Sequence, residues 1–223
     1  MIHAEDQILL LERFNNLEND FLSTVIINGA EPVGDNKGII QGKGGVELRE
    51  VQSKSRILLQ GLVQVNYPAK GNINPIAGEL NLEAGINFDS RGIEKEEEIL
   101  WREQYFLTLT GKGQERLWLY FSIPDQLCFQ IQSPSGKIIL DKRMTVNWRK
   151  EELHPIRIRW GNSLEIFLDQ VQVANEAWSG LWNGEKVNLE ESLLYLGSNI
   201  SARGTESNLQ VSEFSIRTPK SPH

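Results

Sequence analysis

Short segments in which apolar and polar residues alternate recur along almost the whole chain, and they constrain the fold more than any other feature. Three of them follow one another at residues 116–123, 126–132 and 137–141. The connections between them contain Pro124-Asp125 and Ser133-Pro134-Ser135-Gly136. Proline presets the φ of a turn and glycine accepts a positive φ, so both connections are predicted to be turns. This pattern predicts an all-β chain built as an antiparallel β-sandwich or a barrel.

A second meander shows which face of a strand is expected to be buried. Ile156, Ile158 and Trp160 fall on one face of the segment 155–160, whereas Arg157 and Arg159 fall on the other. The segments 163–168 and 171–174 follow after short connections, and similar alternation occurs at 61–67, 78–88, 193–196 and 209–216. Each strand is therefore expected to have one face in a core and one in water. A charged run at residues 93–102 is expected to form a solvated loop.

Size and charge narrow the class of protein. The 223 residues are 39% hydrophobic and 24% charged, which suits one globular all-β domain, predicted over residues 1–217 with a frayed tail over 218–223. A net charge of −7 and the lack of a basic run argue against a nucleic-acid partner. The start has no basic n-region, and its apolar stretch is too short for a signal peptide or a membrane span. We expect cytoplasmic synthesis, with incorporation into a particle or non-classical release if the protein acts elsewhere.

Several segments, taken in order, resemble one known superfamily. Residues 71–88 (GNINPIAGELNLEAGINF), 154–174 (HPIRIRWGNSLEIFLDQVQVA), 194–199 (LYLGSN) and 207–216 (SNLQVSEFSI) are similar to successive strands of concanavalin A-like domains. The resemblance is to the laminin-G-like jelly-roll branch, and it covers nearly the whole chain. Two departures are Gln170, where glycine would suit a type I′ turn, and Ser212, where the family often has Asp. The resemblance implies a jelly roll, a fold that serves lectins, adhesion modules, structural spacers and glucanases alike.

Enzyme activity is not expected. Retaining glycoside hydrolysis needs two carboxyl groups about 5 to 5.5 Å apart. The nearest pairs on a shared strand face are Glu79 with Glu83 and Glu165 with Asp169, and both are better explained as solvent-side or turn residues. His154, the one internal histidine, is expected to cap or pack rather than act as a general base.

Cysteine and metal chemistry receive little support from the sequence. Cys128 is the single cysteine, so an intrachain disulfide cannot form, and it is expected to be a small buried apolar residue. Related laminin-G-like domains often hold Ca²⁺ at a rim. The residues available for this, Asp35, Asp89, Asp125 and Asn199, are scattered and form no calcium motif. We therefore predict no cofactor and leave calcium open.

Tryptophan is the remaining sign of a ligand site, because lectin-like modules stack exposed aromatic rings on sugars. Trp101, Trp118, Trp148 and Trp160 lie in or beside alternating segments and are expected in the core. Trp178 and Trp182 occur in a loop-like stretch, NEAWSGLWNGEKVNLEE. Two alternatives follow: the rings form an exposed platform with Asn183 and Asn199 as ligand-binding residues, or they fold back as lids over one end of the sandwich.

The sequence thus predicts a non-catalytic binding module of laminin-G-like type that presents rim loops to a carbohydrate or protein partner. The alternative from another class is a peripheral structural subunit of a phage-tail-like or contractile injection particle. A glycoside hydrolase is the weakest of the three interpretations.

Overall fold

The structure is a computed structural model that describes residues 6–14, 17–18, 21–22, 38–51, 53–90, 103–197 and 207–219. The chain is all-β, and the described residues contain strands but no helix. The strands are β1 (Gln7–Glu12), β2 (Leu17–Glu18), β3 (Phe21–Leu22), β4 (Ile39–Val51), β5 (Lys54–Pro68), β6 (Gly78–Ile86), β7 (Glu103–Thr110), β8 (Arg116–Ser122), β9 (Gln126–Gln132), β10 (Ile138–Thr145), β11 (His154–Trp160), β12 (Ser163–Leu168), β13 (Val171–Ala177), β14 (Leu193–Gly197) and β15 (Ser207–Thr218).

The predicted antiparallel β-sandwich is confirmed, and the strands fall into two layers. The front sheet has the order β13-β12-β11-β6-β15, with β1 and the first half of β5 along the free edge of β15. The back sheet has the order β10-β9-β8-β7-β14 and continues into the second half of β5. All pairings are antiparallel.

One strand belongs to both layers. Residues Ile57–Gly61 of β5 pair with β15 in the front sheet, and residues Gln64–Pro68 pair with β14 in the back sheet. Gly61 stands at the change of direction with a φ of 81°. Residues with a side chain rarely adopt this left-handed backbone conformation, so glycine is what lets β5 bend from one layer to the other.

Alternation within the strands builds the core. In β6 the residues Leu80, Leu82 and Ala84 are buried, and the polar residues between them are partly exposed. The inward side chains of the two sheets form one apolar cluster that includes Phe106, Phe121 and Phe214. Sheet layers about 10 Å apart are filled by interdigitating side chains of this kind.

The far edges of the two sheets approach each other. Lys142 of β10, the last strand of the back sheet, forms an ion pair with Glu176 of β13, the last strand of the front sheet. The sandwich is therefore nearly closed into a barrel on this side.

The first and last described strands, β1 and β15, pair in the front sheet. Gln7 of β1 lies opposite Thr218 of β15. The sequence places Thr218 in the tail, but its hydroxyl donates to the Ala77 carbonyl at 2.9 Å and accepts a bond from Asn74 Nδ2 at 2.8 Å. These bonds extend the last strand by two residues beyond the predicted end. The charged run 93–102 lies outside the described residues, so its predicted loop stays a prediction.

Candidate functional site

Four neighbouring strands of the front sheet present a polar surface to solvent. In β6 the side chains of Glu79, Asn81 and Glu83 face outward, opposite the buried leucines. The outward side chains of the adjoining strands are Arg157 and Arg159 in β11, Glu165 and Phe167 in β12, and Glu213, Ser215 and Arg217 in β15. The register places these residues side by side, because Asn81 pairs with both Arg157 and Ser215.

A groove of about 690 Å³ crosses this face, and we call it the outer groove. Through Lys54 and Glu83 it meets a second depression of about 550 Å³ that reaches His154. Through Glu79 and Arg217 it meets a third of about 410 Å³. Glu79 and Glu83 are four residues apart in one strand, so the middle section alone is about 13 Å long. A continuous open trough of this length suits an extended ligand.

An aromatic ring lies on the wall of the outer groove. Phe167 is partly exposed, and the guanidinium carbon of Arg157 stands 4.0 Å from its ring centroid. The two residues are also direct partners in the β11–β12 register. This cation–π contact fixes the orientation of both side chains. The wall therefore combines an apolar face with a charged hydrogen-bond donor.

Two carboxylates in the outer groove are held in the ionised form. Burial alone would raise the pKa of Glu79, but hydrogen bonds from Arg159 and Asn81 outweigh it, and the pKa lies below its ordinary value. Burial likewise opposes ionisation of Glu83, and bonds from Lys54 and Ser212 lower its pKa. A general acid needs a raised pKa, so neither group is tuned for that role.

The candidate pair of Glu79 and Glu83 is also too far apart for a retaining hydrolase. Glu79 and Glu83 sit two pleats apart in a regular strand, about 13 Å along its axis, against the 5 to 5.5 Å that the chemistry needs. Glu165 lies in β12, where its carboxylate accepts a long hydrogen bond from the Ser163 hydroxyl at 3.4 Å. Asp169 lies in the following turn and contacts His154. Glu79 and Glu83 share a strand face, but this does not bring their carboxyl groups to the distance that a retaining hydrolase needs.

His154 has the packing position that the sequence predicts. Its ring is parallel to the indole of Trp148, with centroids 4.5 Å apart. Its Nδ1 lies 3.1 Å from the carboxylate of Asp169, which belongs to the turn between β12 and β13. Asp169 and Gln170 both have positive φ, at 49° and 67°, as a type I′ turn requires. The connection is thus a two-residue turn between Leu168 and Val171, with Gln170 in the conformation that glycine adopts more readily, and His154 contacts this turn through Asp169.

The two loop tryptophans are buried, which matches the lid alternative and not an exposed platform. Trp178 is 9% exposed and Trp182 is 1% exposed. Trp178 Nε1 is 3.4 Å from the carbonyl of Leu181 and donates a weak hydrogen bond to it. Burying two indoles within a short Gly-containing loop removes far more apolar surface from water than displaying them would. Of the predicted ligand residues in this loop, only Asn183 is exposed, with a φ of 50°.

The other residues singled out in the sequence are distributed as follows. Asn199, Asp35 and Trp101 lie outside the described residues. Trp148 and Trp160 are buried as predicted, whereas Trp118 is partly exposed beside a second cluster of Tyr105, Tyr120 and Cys128. Cys128 is fully buried, as predicted, and its pKa is raised by that burial.

The described part of the chain shows no preformed metal site. Asp89 and Asp125 are exposed and far apart in the sequence, and no group of three or more His, Cys, Asp or Glu side chains comes together within the described ranges. Within the same ranges no helix has the length and hydropathy to cross a bilayer.

Sequence reasoning missed the outer groove, because it treated the outward residues of each strand as solvated. The alternation of Glu79, Asn81 and Glu83 and that of Arg157 and Arg159 were both visible. The pairing of β6 with β11 and β15, which assembles them into one surface, joins segments more than 70 residues apart. Only this pairing between distant segments brings the outward polar residues of β6, β11 and β15 together into one groove.

Comparison with known proteins supports the fold and gives no family. No protein-family profile matches the chain, and no curated protein matches it significantly. Among solved structures, the receptor-binding domain of a botulinum neurotoxin C/D mosaic superposes with a TM-score of 0.63 at 10% identity, covering 97% of this chain and 49% of that one. The chain thus spans about half the length of the toxin domains it matches.

Two further structures represent other binding proteins. Domain 4 of AbnA, a GH43 extracellular arabinanase from Geobacillus stearothermophilus, was solved with arabinotriose; it gives a TM-score of 0.63 at 12% identity over 96% of this chain and 94% of that one. The binding domain of botulinum neurotoxin DC, in complex with rat synaptotagmin II, gives 0.56 at 11% identity over 84% and 44%. At such low identity the likeness establishes the fold alone. The chain is therefore an antiparallel β-sandwich of the type found in carbohydrate- and protein-binding domains.

Proposed function

We propose that this domain is a non-catalytic binding module that holds an extended oligosaccharide in the outer groove. The observation that carries the proposal is the groove itself, an open trough floored by four paired strands and lined by hydrogen-bonding side chains beside one aromatic ring. Sugar rings offer apolar faces and many hydroxyl groups, which match a ring such as Phe167 and polar neighbours such as Asn81. The ionised, cation-paired state of Glu79 and Glu83 suits hydrogen-bond acceptance from sugar hydroxyls.

The structural neighbours are consistent with such a role. The arabinanase domain was solved in complex with arabinotriose, and the toxin binding domain in complex with rat synaptotagmin II. Each of these two domains was thus solved with a bound partner, a sugar in one and a protein in the other. We infer that this chain, too, acts by binding, with a glycan as the first candidate and a protein surface as the second.

The test is a glycan array followed by titration calorimetry on the best ligand. Phe167→Ala is expected to weaken binding about tenfold, because a stacked ring contributes roughly 1 to 1.5 kcal/mol. Asn183→Gly is the matched control: it removes the exposed amide of the Trp178 and Trp182 loop while preserving the positive φ. We expect it to bind like the wild type.

The same pair of variants decides between the outer groove and the rim loop. Loss of binding in Asn183→Gly with full binding in Phe167→Ala would move the site to the loop of Trp178 and Trp182. Binding that survives both changes would contradict both locations.

A role as a peripheral subunit of a phage-tail-like or injection particle stays a prediction from the sequence. Purification of the native protein with its associated proteins tests it, since co-purifying sheath or baseplate subunits are the expected result for such a subunit.

A further inference from the structure

The carboxylates in the middle of the outer groove already have cation partners. Lys54 Nζ lies 2.6 Å from the Glu83 carboxylate, and Arg13 Nε lies 3.1 Å from that of Glu213. Glu79 is paired with Arg159. Each of these three negative charges is therefore compensated from within the protein.

Two guanidinium groups of the same groove have no such compensation. Arg157 and Arg217 line the groove, and neither forms an ion pair within the described ranges. The charged residues that line the groove are Lys54, Arg157 and Arg217 against Glu79, Glu83 and Glu213, so its lining is neutral in a protein with a net charge of −7. Because the three carboxylates have ion-pair partners, Arg157 and Arg217 are the charged groups left to bind a ligand.

Three hydrogen-bond donors at this point are buried without a partner. They are Nε of Arg157, Nε of Arg217 and the hydroxyl of Ser215, a residue that is only 1% exposed, and none has a partner among the described residues. Ser215 pairs with Asn81, which pairs in turn with Arg157, and Arg217 is two residues further along β15. Unsatisfied buried atoms also occur elsewhere in the described residues, but these three are all donors and line one groove, so a ligand that supplies acceptors there would complete their hydrogen bonding.

The charges at both ends of the trough limit what that ligand can be. Asp6 and Glu165 outnumber Arg159 in the depression beyond Arg217, and Glu151, Glu152 and Asp169 outnumber Arg56 in the one beyond Lys54. A polyanion lying along the whole trough would meet these carboxylates, whereas one acidic group at the centre would meet the guanidinium groups.

We propose that the outer groove selects oligosaccharides that carry a single acidic substituent, a carboxylate or a sulfate, seated between Arg157, Ser215 and Arg217. The inference rests on the proposed function and adds the ligand class to it. Charge-assisted bonds from a guanidinium to a carboxylate or sulfate are stronger and more directional than bonds to a hydroxyl, so the acid group would dominate recognition.

The experiment compares glycans with and without the acid group. Oligosaccharides bearing one uronic acid, sialic acid or sulfate are titrated beside their carboxyl-reduced or desulfated counterparts, a tri-uronate and an acidic peptide. We expect at least about tenfold weaker binding when the acid group is removed, and affinity that falls with added salt. Arg157→Gln and Arg217→Gln should each abolish the preference for the acidic form.

The controls separate this inference from the function on which it rests. Arg143→Gln changes an exposed arginine of the back sheet and should leave the preference intact, and Arg157→Lys, which retains the charge, should keep part of it. Equal binding of acidic and neutral forms would overturn the inference and leave glycan binding standing. If the tri-uronate bound more tightly than the glycans with one acid group, the proposal of a single acidic substituent would be wrong. If the acidic peptide bound as tightly as those glycans, the proposal that the ligand is a glycan would be wrong. Failure of every glycan to bind would overturn the proposed function as well.

Discussion

Two glutamates of this structure, Glu79 and Glu12, have pKa values shifted in opposite directions. Glu79 faces the outer groove, where cation partners keep it ionised. Glu12 is fully buried, and burial raises its pKa to about 8, against weaker opposing hydrogen bonds from the Arg13 backbone and Tyr67. Tyr67 donates to the Glu12 carboxyl at 3.5 Å, which is too long for a strong bond. Environment, and not residue identity, decides which carboxylate carries charge.

The buried acid predicts a pH-dependent stability. The folded state holds the Glu12 proton until about pH 8, whereas the unfolded chain releases it near pH 4.5. The folded state therefore binds more protons between these values, and its stability falls as the pH rises through that window. Glu12→Gln removes the titration, so its free energy of unfolding should exceed that of the wild type at pH 8 by on the order of 3 kcal/mol and be similar at pH 5.

Urea unfolding at pH 5, 6.5 and 8 measures this difference. Glu185→Gln, a change at an exposed loop position, is the control and should keep the wild-type pH profile. Parallel profiles for Glu12→Gln and the wild type would show that Glu12 is not the responsible group.

Single residues were also where the sequence was least informative. It identified Cys128, Trp148 and Trp160 as buried, because each lies in or beside an alternating segment. It could not decide the orientation of Trp178 and Trp182, since a loop has no periodicity to mark an inner face. Their burial depends on how the loop folds over the end of the sandwich, which is a tertiary property.

At the level of elements the alternation was a reliable guide. The segments 126–132 and 163–168 match β9 and β12 to the residue, and most other strands extend beyond the predicted limits by a few positions. The largest difference is β5, which begins seven residues before the predicted segment. Its early part, with Ile57, Leu58 and Leu59 all buried, does not alternate, because it is covered on both faces.

The β12–β13 turn allows a test of backbone strain. Gln170 has a φ of 67°, which costs a residue with a side chain roughly 1 kcal/mol relative to glycine. Gln170→Gly should therefore raise the free energy of unfolding by up to about 1 kcal/mol while keeping the Asp169 contact to His154. Thermal or urea unfolding measures the change.

Gln172→Gly supplies the comparison for that turn. Gln172 lies within β13 and does not have a positive φ, so glycine there should lower stability by a similar amount. A loss of stability in Gln170→Gly would mean that the turn is not under strain.

At the level of the whole molecule, the two layers share a strand. Because β5 is hydrogen-bonded first to β15 and then to β14, neither sheet can lose it without disturbing the other. Sequence patterns do not reveal such a crossing, although the glycine at its bend was visible as the first residue of a predicted strand. The outer groove depends on the same global arrangement, since its residues come from segments distant in the chain.

This sharing predicts that both sheets unfold together. In fluorotryptophan NMR, Trp160 reports on the front sheet and Trp118 on the back sheet, and their urea midpoints should coincide. Gly61→Val forces a β-branched residue into a positive φ and should lower the free energy of unfolding by about 1 to 2 kcal/mol. The urea midpoints reported by the two tryptophans should then fall by the same amount.

Gly45→Ala is the matched change for that experiment. Gly45 lies in β4 with open space around the position of an added Cβ, so stability should change little. Two separate midpoints, in the wild type or in Gly61→Val, would contradict the shared-strand explanation.

The outer groove is made of side chains that stand on regularly paired strands, with the hydrophobic layer beneath supplied by their inward neighbours. Under the proposed function, ligand recognition and folding are therefore encoded by different positions of the same strands. Evolution can change the outward residues without changing the inward residues of the core, so one scaffold can acquire new ligands through a few surface substitutions. A combinatorial library randomised at Asn81, Arg157, Phe167, Ser215 and Arg217 should consequently yield folded members with unrelated specificities.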